Sequence, residues 1–182
     1  MTKGRIELAT GPMFSGKTEW LISKLKNFDK EKTLAIRFTL DNRYSNDSLH
    51  SHNGKEYSAH SASTISEFEI LIENSNHTIL GIDEIQFFEI GLSGLLTRQK
   101  TKGITVYAAG LNLDYLATPW ETSIAIENIA DKLTHLKARC SICKKNNATL
   151  TQKIAGNRQR VTIGGVKLYE ARCKEHFVVY HS

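Results

Sequence analysis

Long apolar runs are absent from the 182-residue sequence, as are internal repeats and low-complexity segments. A membrane-spanning helix needs about 20 consecutive apolar residues, and a signal peptide needs an apolar stretch near its start; the sequence has neither. These absences argue against an integral membrane protein and against a repeat protein. We therefore expect a soluble, intracellular chain that works in the cytoplasm.

The basic residues are not gathered into one block, although the formal net charge is +5. A positive balance favours nucleic acid or a small polyanion such as a nucleotide as the partner, and charge alone does not choose between them. The length and the 40 % hydrophobic content are sufficient for one domain of ordinary size with a small appendage.

Short apolar runs alternate with helical periodicity over the first 136 residues, a pattern typical of a mostly parallel sheet flanked by helices. We predict strands at 5–10, 33–38, 77–84 and 104–111, and helices after residue 17, from residue 66, at 91–103 and at 121–133. Residues 41–63 are polar and aperiodic, which indicates one long loop and a candidate region for substrate contact.

Two local signals refine the predicted helices. Leu21, Leu25 and Phe28 have the i, i+4, i+7 spacing of a buried helix face. Ser66 and Glu69 fit a capping box, which places the start of the second helix near residue 66.

The character of the sequence changes after residue 136. All three cysteines fall between residues 140 and 173, the intervening residues are β-prone and turn-rich, and helical periodicity ends. We therefore predict an α/β nucleotide-binding domain at 1–136 and a small C-terminal zinc-binding β domain at 137–182.

Residues 11–18, GPMFSGKT, match the phosphate-loop pattern G-x-x-x-x-G-K-[ST] between a predicted strand and a predicted helix. Glycines let backbone N–H groups wrap around phosphates, the lysine reaches the β/γ oxygens, and the hydroxyl binds Mg²⁺. A glycine-bearing structural turn is the alternative, and the strand–loop–helix context disfavours it. The predicted ATP-binding residues of this loop are Gly11, Pro12, Met13, Phe14, Ser15, Gly16, Lys17 and Thr18.

Two carboxylates end the apolar run HTILGIDE at residues 77–84. Asp83 is placed to hold Mg²⁺ near Thr18, because the ends of neighbouring parallel strands meet at one sheet edge. Glu84 is placed to accept a proton from a hydroxyl or a water. The alternative is that Glu84 is only a solvated residue at a strand end.

Two short pairs in the C-terminal region have the spacing of metal ligands. Cys140-x-x-Cys143 and Cys173-x-x-His176 are typical of a structural Cys₃His zinc site on a hairpin. Free or buried thiols with a surface histidine are one alternative, and a disulfide is a weaker one because nothing indicates an oxidising compartment.

Eight segments occur in one order along the chain: GPMFSGKT, LDNRYS, SHNG, GIDEIQFF, GLNLDYLATPW, CSIC, IGGVKLYEARC and CKEH. In this arrangement the sequence resembles the type II thymidine kinase family, the zinc-containing enzymes of the cytosolic type, over nearly its whole length. The resemblance implies a P-loop NTPase-like sheet domain followed by a C-terminal segment, the lasso, that closes over the base.

The resemblance further implies transfer of the ATP γ-phosphoryl group to the 5′-hydroxyl of thymidine, which gives dTMP in nucleoside salvage for DNA synthesis, with deoxyuridine as a second substrate. It makes Glu84 the general base and adds Asp41, Arg43, Asp83, Glu84, Ile85 and Gln86 to the ATP and magnesium site. It assigns nucleoside binding to Phe87, Tyr115, Arg160, Val161, Thr162, Ile163, Gly164, Gly165 and Tyr169.

The sequence departs from the family pattern at a few positions. Tyr115 stands where the family often has Phe, Leu116 replaces an Arg, Trp120 replaces a Phe, and His176 replaces a Cys. The resemblance also implies a homotetramer. We expect zinc loss to weaken thymidine binding more than ATP binding, because the phosphate loop has its own strand and helix as supports.

The competing hypothesis is a P-loop ATPase with a zinc ribbon, or a nucleic-acid-binding module. That reading leaves IGGVKLY without a role and predicts interleaved aromatic and basic residues in the C-terminal region, where few occur. We therefore expect ATP and thymidine as partners, with neither nucleic acid nor a membrane.

Overall fold

A computed structural model describes residues 3–39, 48–51, 54–156, 159–160 and 168–179. The strands in these ranges are β1 (Arg5–Thr10), β2 (Thr33–Phe38), β3 (Ser48–His50), β4 (Glu56–Ser58), β5 (His60–Ala62), β6 (Ile79–Asp83), β7 (Thr105–Gly110), β8 (Lys132–His135), β9 (Leu150–Lys153) and β10 (Tyr169–Arg172). The helices are α1 (Lys17–Leu25), α2 (Ile65–Glu73), α3 (Leu92–Thr101) and α4 (Glu121–Glu127).

The central sheet has the strand order β5-β2-β6-β7-β1-β8. All of its strand pairs are parallel. Two antiparallel hairpins, β3–β4 and β9–β10, lie outside this sheet. The prediction of a mostly parallel sheet flanked by helices, followed by a small β unit near the C-terminus, is confirmed.

Alternating side chains of the sheet strands enter two separate cores, as the period of two along a strand requires. Leu8 and Val106 pack in one core with residues of α2, α3 and α4. Tyr107 packs in the other core with residues of α1 and of the β3–β4 hairpin. Helices α2, α3 and α4 therefore cover one face of the sheet, and α1 with the β3–β4 hairpin covers the other face.

Gly81 allows α1 to lie close against the centre of the sheet. A Cβ at this position would be 2.6 Å from the Cδ1 of Leu25. Because Leu25 is fully buried, it has little room to move aside. Gly81 therefore helps to set the distance between α1, which follows the phosphate loop, and β6, which ends at Asp83.

The strands predicted at 5–10, 33–38, 77–84 and 104–111 all exist, with small differences at their ends. The helix predicted at 121–133 is wrong beyond Glu127, because residues 132–135 form β8 at the edge of the sheet. The outer edge of β1 needs hydrogen-bond partners, and β8 supplies them together with Asp131, whose carboxylate accepts from the N–H of Ile6 at 2.8 Å.

Three other local predictions are also corrected. The single loop predicted at 41–63 contains β3, β4 and β5; residues 41–47, 52 and 53 lie outside the described residues. The helix cap is Thr64, whose side chain accepts from the N–H of Glu67, so α2 begins earlier than the Ser66 prediction. Phe28 lies beyond the end of α1 and is 36 % exposed.

No helix in the described part of the chain combines the length and the apolar character that crossing a bilayer requires. The carboxyl ends of β1, β6 and β7 lead into residues 11–16, 84–87 and 111–120 respectively. In a parallel sheet these segments meet at one edge, where ligands of α/β proteins bind.

Candidate active site

The phosphate loop connects β1 to α1, and close backbone approaches fix its shape. A Cβ at Gly11 would be 2.4 Å from the carbonyl oxygen of Leu136. Gly16 precedes α1 in the left-handed region, with φ of 81°. The Nζ of Lys17 donates to the carbonyl oxygen of Pro12 at 2.7 Å, and burial lowers the pKa of this lysine. The loop therefore brings a desolvated cation to the start of a helix.

Thr18 and Asp83 form the second part of the site. The Thr18 hydroxyl donates to Oδ2 of Asp83 at 2.7 Å. Burial, followed by the nearby Glu84 carboxylate, raises the pKa of Asp83 to about 7. A hydroxyl and a buried carboxylate in direct contact are the oxygen donors that Mg²⁺ uses beside nucleotide phosphates, so this pair fits that ion.

Glu84 lies next to this pair and is held by two further contacts. Its backbone is in the left-handed region, with φ of 57°, and its N–H donates to Oδ1 of Asp83 at 3.0 Å. Its Oε2 accepts from Nε2 of Gln86 at 2.6 Å. A non-glycine residue in this conformation is uncommon, and such strain is found most often at functional sites.

Gln86 joins the ends of β6 and β7. Its side chain is 3 % exposed, and its Oε1 accepts from the backbone N–H of Leu111 at 2.8 Å. Gly110 leaves room for this side chain, because a Cβ there would be 2.5 Å from the Gln86 Oε1. Gln86 therefore orients the Glu84 carboxylate from a fixed position.

The aromatic residues predicted to bind the nucleoside make two separate sets of contacts. The ring of Phe87 is 5.4 Å from that of Phe38 and 5.7 Å from that of Trp120, measured between centroids. The Nζ of Lys153 lies 4.8 Å from the ring centroid of Tyr115 and 5.6 Å from that of Tyr169. Phe87 thus lies in a group of aromatic rings, and Tyr115 and Tyr169 share a contact with the Lys153 amine.

Arg160 contacts the segment between β7 and α4. Its Nε donates to Oδ2 of Asp114 at 2.8 Å, and its guanidinium carbon lies 4.1 Å from the ring centroid of Trp120. The other oxygen of Asp114 accepts from the N–H groups of Leu116 and Thr118. The prediction that Arg160 binds the nucleoside stays a prediction; in the structure its guanidinium contacts this loop.

The remaining predicted ATP residues differ in what their side chains contact. The Ile85 side chain is fully buried in the apolar core. The Phe14 ring packs against the cysteine cluster described below. Asp41, Arg43 and residues 161–165 lie outside the described residues. In the described ranges, buried polar atoms without a hydrogen-bond partner include Ser15 Oγ, Asn112 Oδ1 and Trp120 Nε1.

Cys140, Cys143, Cys173 and His176 form a group whose ligand atoms all lie within 4.8 Å of one another. The Sγ atoms of Cys143 and Cys173 are 4.0 Å apart, close to the edge of about 3.8 Å in a tetrahedron with metal–sulfur bonds of about 2.3 Å. Burial opposes ionisation of Cys140, but N–H groups of Cys173, Cys143 and Ile142 lower its pKa to about 6. The group could hold a metal ion.

Lys153, Thr151 and Asp114 are contact residues that sequence reasoning missed. Lys153 is 8 % exposed and its Nζ donates to the carbonyl oxygen of Gln159. The Thr151 hydroxyl accepts from the N–H of Met13 at 3.0 Å. The contacts of Thr151 with Met13 and of Asp114 with Arg160 join residues 138 and 46 positions apart, so no local spacing in the sequence could have indicated them.

Residues 4–177 match the family model described as thymidine kinase. The chain is similar to a thymidine kinase of Thermococcus kodakarensis, with 35 % identity over 97 % of this chain and 95 % of that protein. It is also similar to thymidine kinases of Mycoplasma mycoides subsp. mycoides SC, with 34 % identity over 97 % and 90 %, and of Mesomycoplasma hyopneumoniae, with 36 % identity over 94 % of each chain.

Proposed function

The chain belongs to the thymidine kinase family, and we propose that it transfers the γ-phosphoryl group of ATP to the 5′-hydroxyl of thymidine to give dTMP. Deoxyuridine is proposed as a second substrate. The observation that carries the proposal is the meeting of a phosphate loop, the Thr18–Asp83 pair and Glu84 at one sheet edge. Nucleoside salvage is the proposed cellular role.

The phosphate loop is proposed to bind the ATP phosphates. Its backbone N–H groups and the positive end of α1 favour anions, and Lys17 supplies a positive charge to the β/γ oxygens. The bond from Lys17 to the Pro12 carbonyl keeps the amine inside the loop. Thr18 and Asp83 would hold Mg²⁺, which neutralises charge on the phosphates when bound.

Glu84 is proposed as the general base that accepts the proton of the attacking 5′-hydroxyl. Two restraints limit its motion: the backbone bond to Asp83 and the side-chain bond from Gln86. A carboxylate held in one orientation loses little freedom when the hydroxyl binds, which favours reaction. Gln86 acts through Glu84 in this proposal and is a positioning residue.

The aromatic residues are proposed to hold the base. Phe87, Tyr115 and Tyr169 offer flat apolar surfaces, and Arg160 fixes the loop that carries Tyr115 through its bond to Asp114. Contacts of Asp41 and Arg43 with the phosphates, and of residues 161–165 with the base, remain predictions from the family resemblance.

Zinc is the metal proposed for the Cys₃His group, because three thiolates and an imidazole are a common structural zinc set. A homotetramer and a cytoplasmic location are further proposals that rest on the family resemblance. The division into domains at 1–136 and 137–182 likewise stays a prediction.

A coupled ADP-release assay tests the reaction. Thymidine, deoxyuridine, deoxycytidine and deoxyguanosine are offered separately to the parent protein and to Glu84→Gln. We expect ADP release that depends on thymidine or deoxyuridine, and a kcat reduced by roughly 10²–10⁴ in the variant with little change in ATP affinity. Turnover of Glu84→Gln at the parental rate would remove Glu84 from the mechanism.

The same assay separates the alternative function. ADP release at one rate with every nucleoside and with none would identify a simple ATPase. A rate that rises only on addition of DNA or RNA would favour the nucleic-acid-binding hypothesis.

A further inference from the structure

The phosphate loop has a support outside its own strand and helix. The backbone N–H of Met13 donates to the Thr151 hydroxyl of β9 at 3.0 Å, and Thr151 is 3 % exposed. From the sequence we expect the loop to have its own strand and helix, β1 and α1, as supports. The contact with β9, 138 positions away along the chain, is a second anchor.

This hydrogen bond restrains the peptide group that also contacts Lys17. The Pro12 carbonyl and the Met13 N–H belong to one planar peptide unit and point in opposite directions from it. Thr151 holds the N–H side, and the Lys17 amine contacts the carbonyl side at 2.7 Å. Rotation of this peptide would break both contacts, so Thr151 helps to fix the position of the lysine amine.

Phe14 makes a second contact with the same region. Its φ is 66°, in the left-handed region that residues other than glycine adopt rarely. Its ring packs against a small cluster made of Ala138, Cys140, Ala148, Ala171 and Cys173. Apolar packing of the ring therefore offsets the backbone strain inside the phosphate loop.

Two members of that cluster, Cys140 and Cys173, belong to the Cys₃His group. The hairpin that carries Thr151 is attached to the same group, because Ala171 of β10 pairs with Thr151 and Cys173 directly follows β10. A cluster with three alanines and two thiols has little apolar surface of its own. A bound metal would contribute much of its stability, as in other small metal-binding units.

The start of the loop also touches the segment that leads into this region. The N–H of Leu136 donates to the carbonyl oxygen of Thr10 at 2.7 Å, and the Leu136 carbonyl leaves no room for a side chain at Gly11. The phosphate loop is thus in contact with the C-terminal region at Met13 and Phe14, and with the segment that leads into it at Gly11.

From these contacts we propose that the metal-binding unit positions the phosphate loop, with Thr151 and Phe14 as the positioning residues. Metal occupancy then controls ATP affinity, in addition to any effect on the nucleoside. This inference rests on the proposed function only in taking residues 11–18 as the ATP loop.

The first test measures binding of a non-hydrolysable ATP analogue to metal-loaded protein by calorimetry, without nucleoside. Thr151→Val keeps the shape of the side chain but removes the acceptor, and we expect Kd to rise roughly 5- to 20-fold, as for the loss of a bond to a buried N–H. Thr151→Ser retains a hydroxyl and should restore Kd to within about twofold of the parent. Thr149→Val, on the same segment, is the matched control and should bind like the parent.

The second test removes the metal from the parent and from Thr151→Val, with elemental analysis of each sample and circular dichroism to confirm folding. We expect metal removal to raise the analogue Kd in both proteins, with a larger factor in the parent than in Thr151→Val. The variant has already lost the hydrogen bond between Met13 and Thr151 that couples the metal-binding unit to the loop. An analogue Kd in Thr151→Val equal to that of the parent, at equal metal content, would overturn the proposal.

A third arm covers the case in which the metal-free protein unfolds. Phe14→Ala in the metal-loaded protein removes the ring while the metal site stays filled, and it should weaken analogue binding by about tenfold. Unchanged binding in this variant would also count against the proposal. All three arms measure nucleotide binding, so they stand apart from the nucleoside-dependent turnover that tests the proposed function.

Discussion

Gln86 offers the sharpest test of how the site is built, because one side chain holds both the proposed base and a neighbouring strand. Gln86→Met keeps a similar length and volume in a buried position but removes both hydrogen bonds. The N–H of Leu111 then loses its acceptor, and the Glu84 carboxylate loses a donor at 2.6 Å.

The expected magnitude follows from these two losses. An unsatisfied buried N–H costs about 1–3 kcal/mol, and a hydrogen bond to a charged group contributes about 1.5–3 kcal/mol. Part of the second loss is recovered if Glu84 turns toward water, so we expect a destabilisation of about 2–4 kcal/mol. For a chain of this size that lowers Tm by roughly 5–12 °C.

The kinetic consequence is separate from the loss of stability. With its donor removed, Glu84 samples several rotamers, and kcat should fall roughly 10- to 100-fold while KM for ATP changes little. Gln86→Glu is the informative second variant: it still accepts from Leu111, but it places a second carboxylate against Glu84. Two carboxylates at this distance share a proton, so the acid limb of the pH–activity profile should move to higher pH.

The assay combines thermal melting with steady-state rates between about pH 5.5 and 9, a range that spans the ionisation expected for paired carboxylates. Gln99→Met, at another buried glutamine on α3, is the matched control for loss of a buried amide away from the site. It should lower Tm without changing kcat. A parental kcat in Gln86→Met, together with an unshifted pH profile in Gln86→Glu, would refute the positioning role.

Three further predictions concern charges at the same edge. Lys17→Ala should abolish turnover and the rise in Tm that ATP produces in the parent; an equal rise in both proteins would show that ATP binds elsewhere. Asp83→Asn should become more stable relative to the parent as the pH rises from about 4 to 7, with little further change above that. Burial and then Glu84 raise the pKa of Asp83 from 3.8 to about 7, so in this window the carboxyl is ionised in the unfolded parent but still protonated in the folded one, and the parent loses stability. A difference in Tm between the two proteins that stays constant from about pH 4 to 7 would contradict the assignment. Arg160→Met should raise KM for thymidine several-fold with little change in KM for ATP, because it releases Asp114 and the face of Trp120; unchanged KM values would limit Arg160 to a surface contact.

The parts of the site that sequence could predict depend on residues close together in the chain. The spacing in residues 11–18 and the apolar run before Asp83 are local patterns, and each predicts both its own structure and its place at a strand end. Parallel pairing then brings the two together, as the contact between Thr18 and Asp83 shows.

The parts that sequence missed depend on contacts across the fold. Lys132, Leu133 and His135 are exposed, so β8 has no apolar pattern of its own, and it is a strand because the edge of β1 needs partners. The hydrogen bond between Met13 and Thr151 has the same origin, since nothing in the β9 sequence indicates that the Thr151 hydroxyl contacts a loop 138 positions earlier in the chain.

Arg160 is an example of a tertiary contact that the sequence does not predict. The family resemblance assigns it to nucleoside binding, and that assignment stays a prediction; in the structure its guanidinium is paired with Asp114. Pairing with a carboxylate 46 positions away is a property of the tertiary structure, and the departure to Trp120 adds a flat surface on which the guanidinium packs.

The left-handed backbone of Glu84 also bears on directed evolution of this protein. Glycine or asparagine would adopt this conformation at lower cost, and neither would place a carboxylate beside Asp83. A library screened only for heat resistance would therefore enrich substitutions at residue 84 that remove the proposed base. Selection for thermal tolerance would have to be coupled to a growth requirement for the phosphorylated nucleoside. Without that requirement, the most thermostable variants would lack kinase activity.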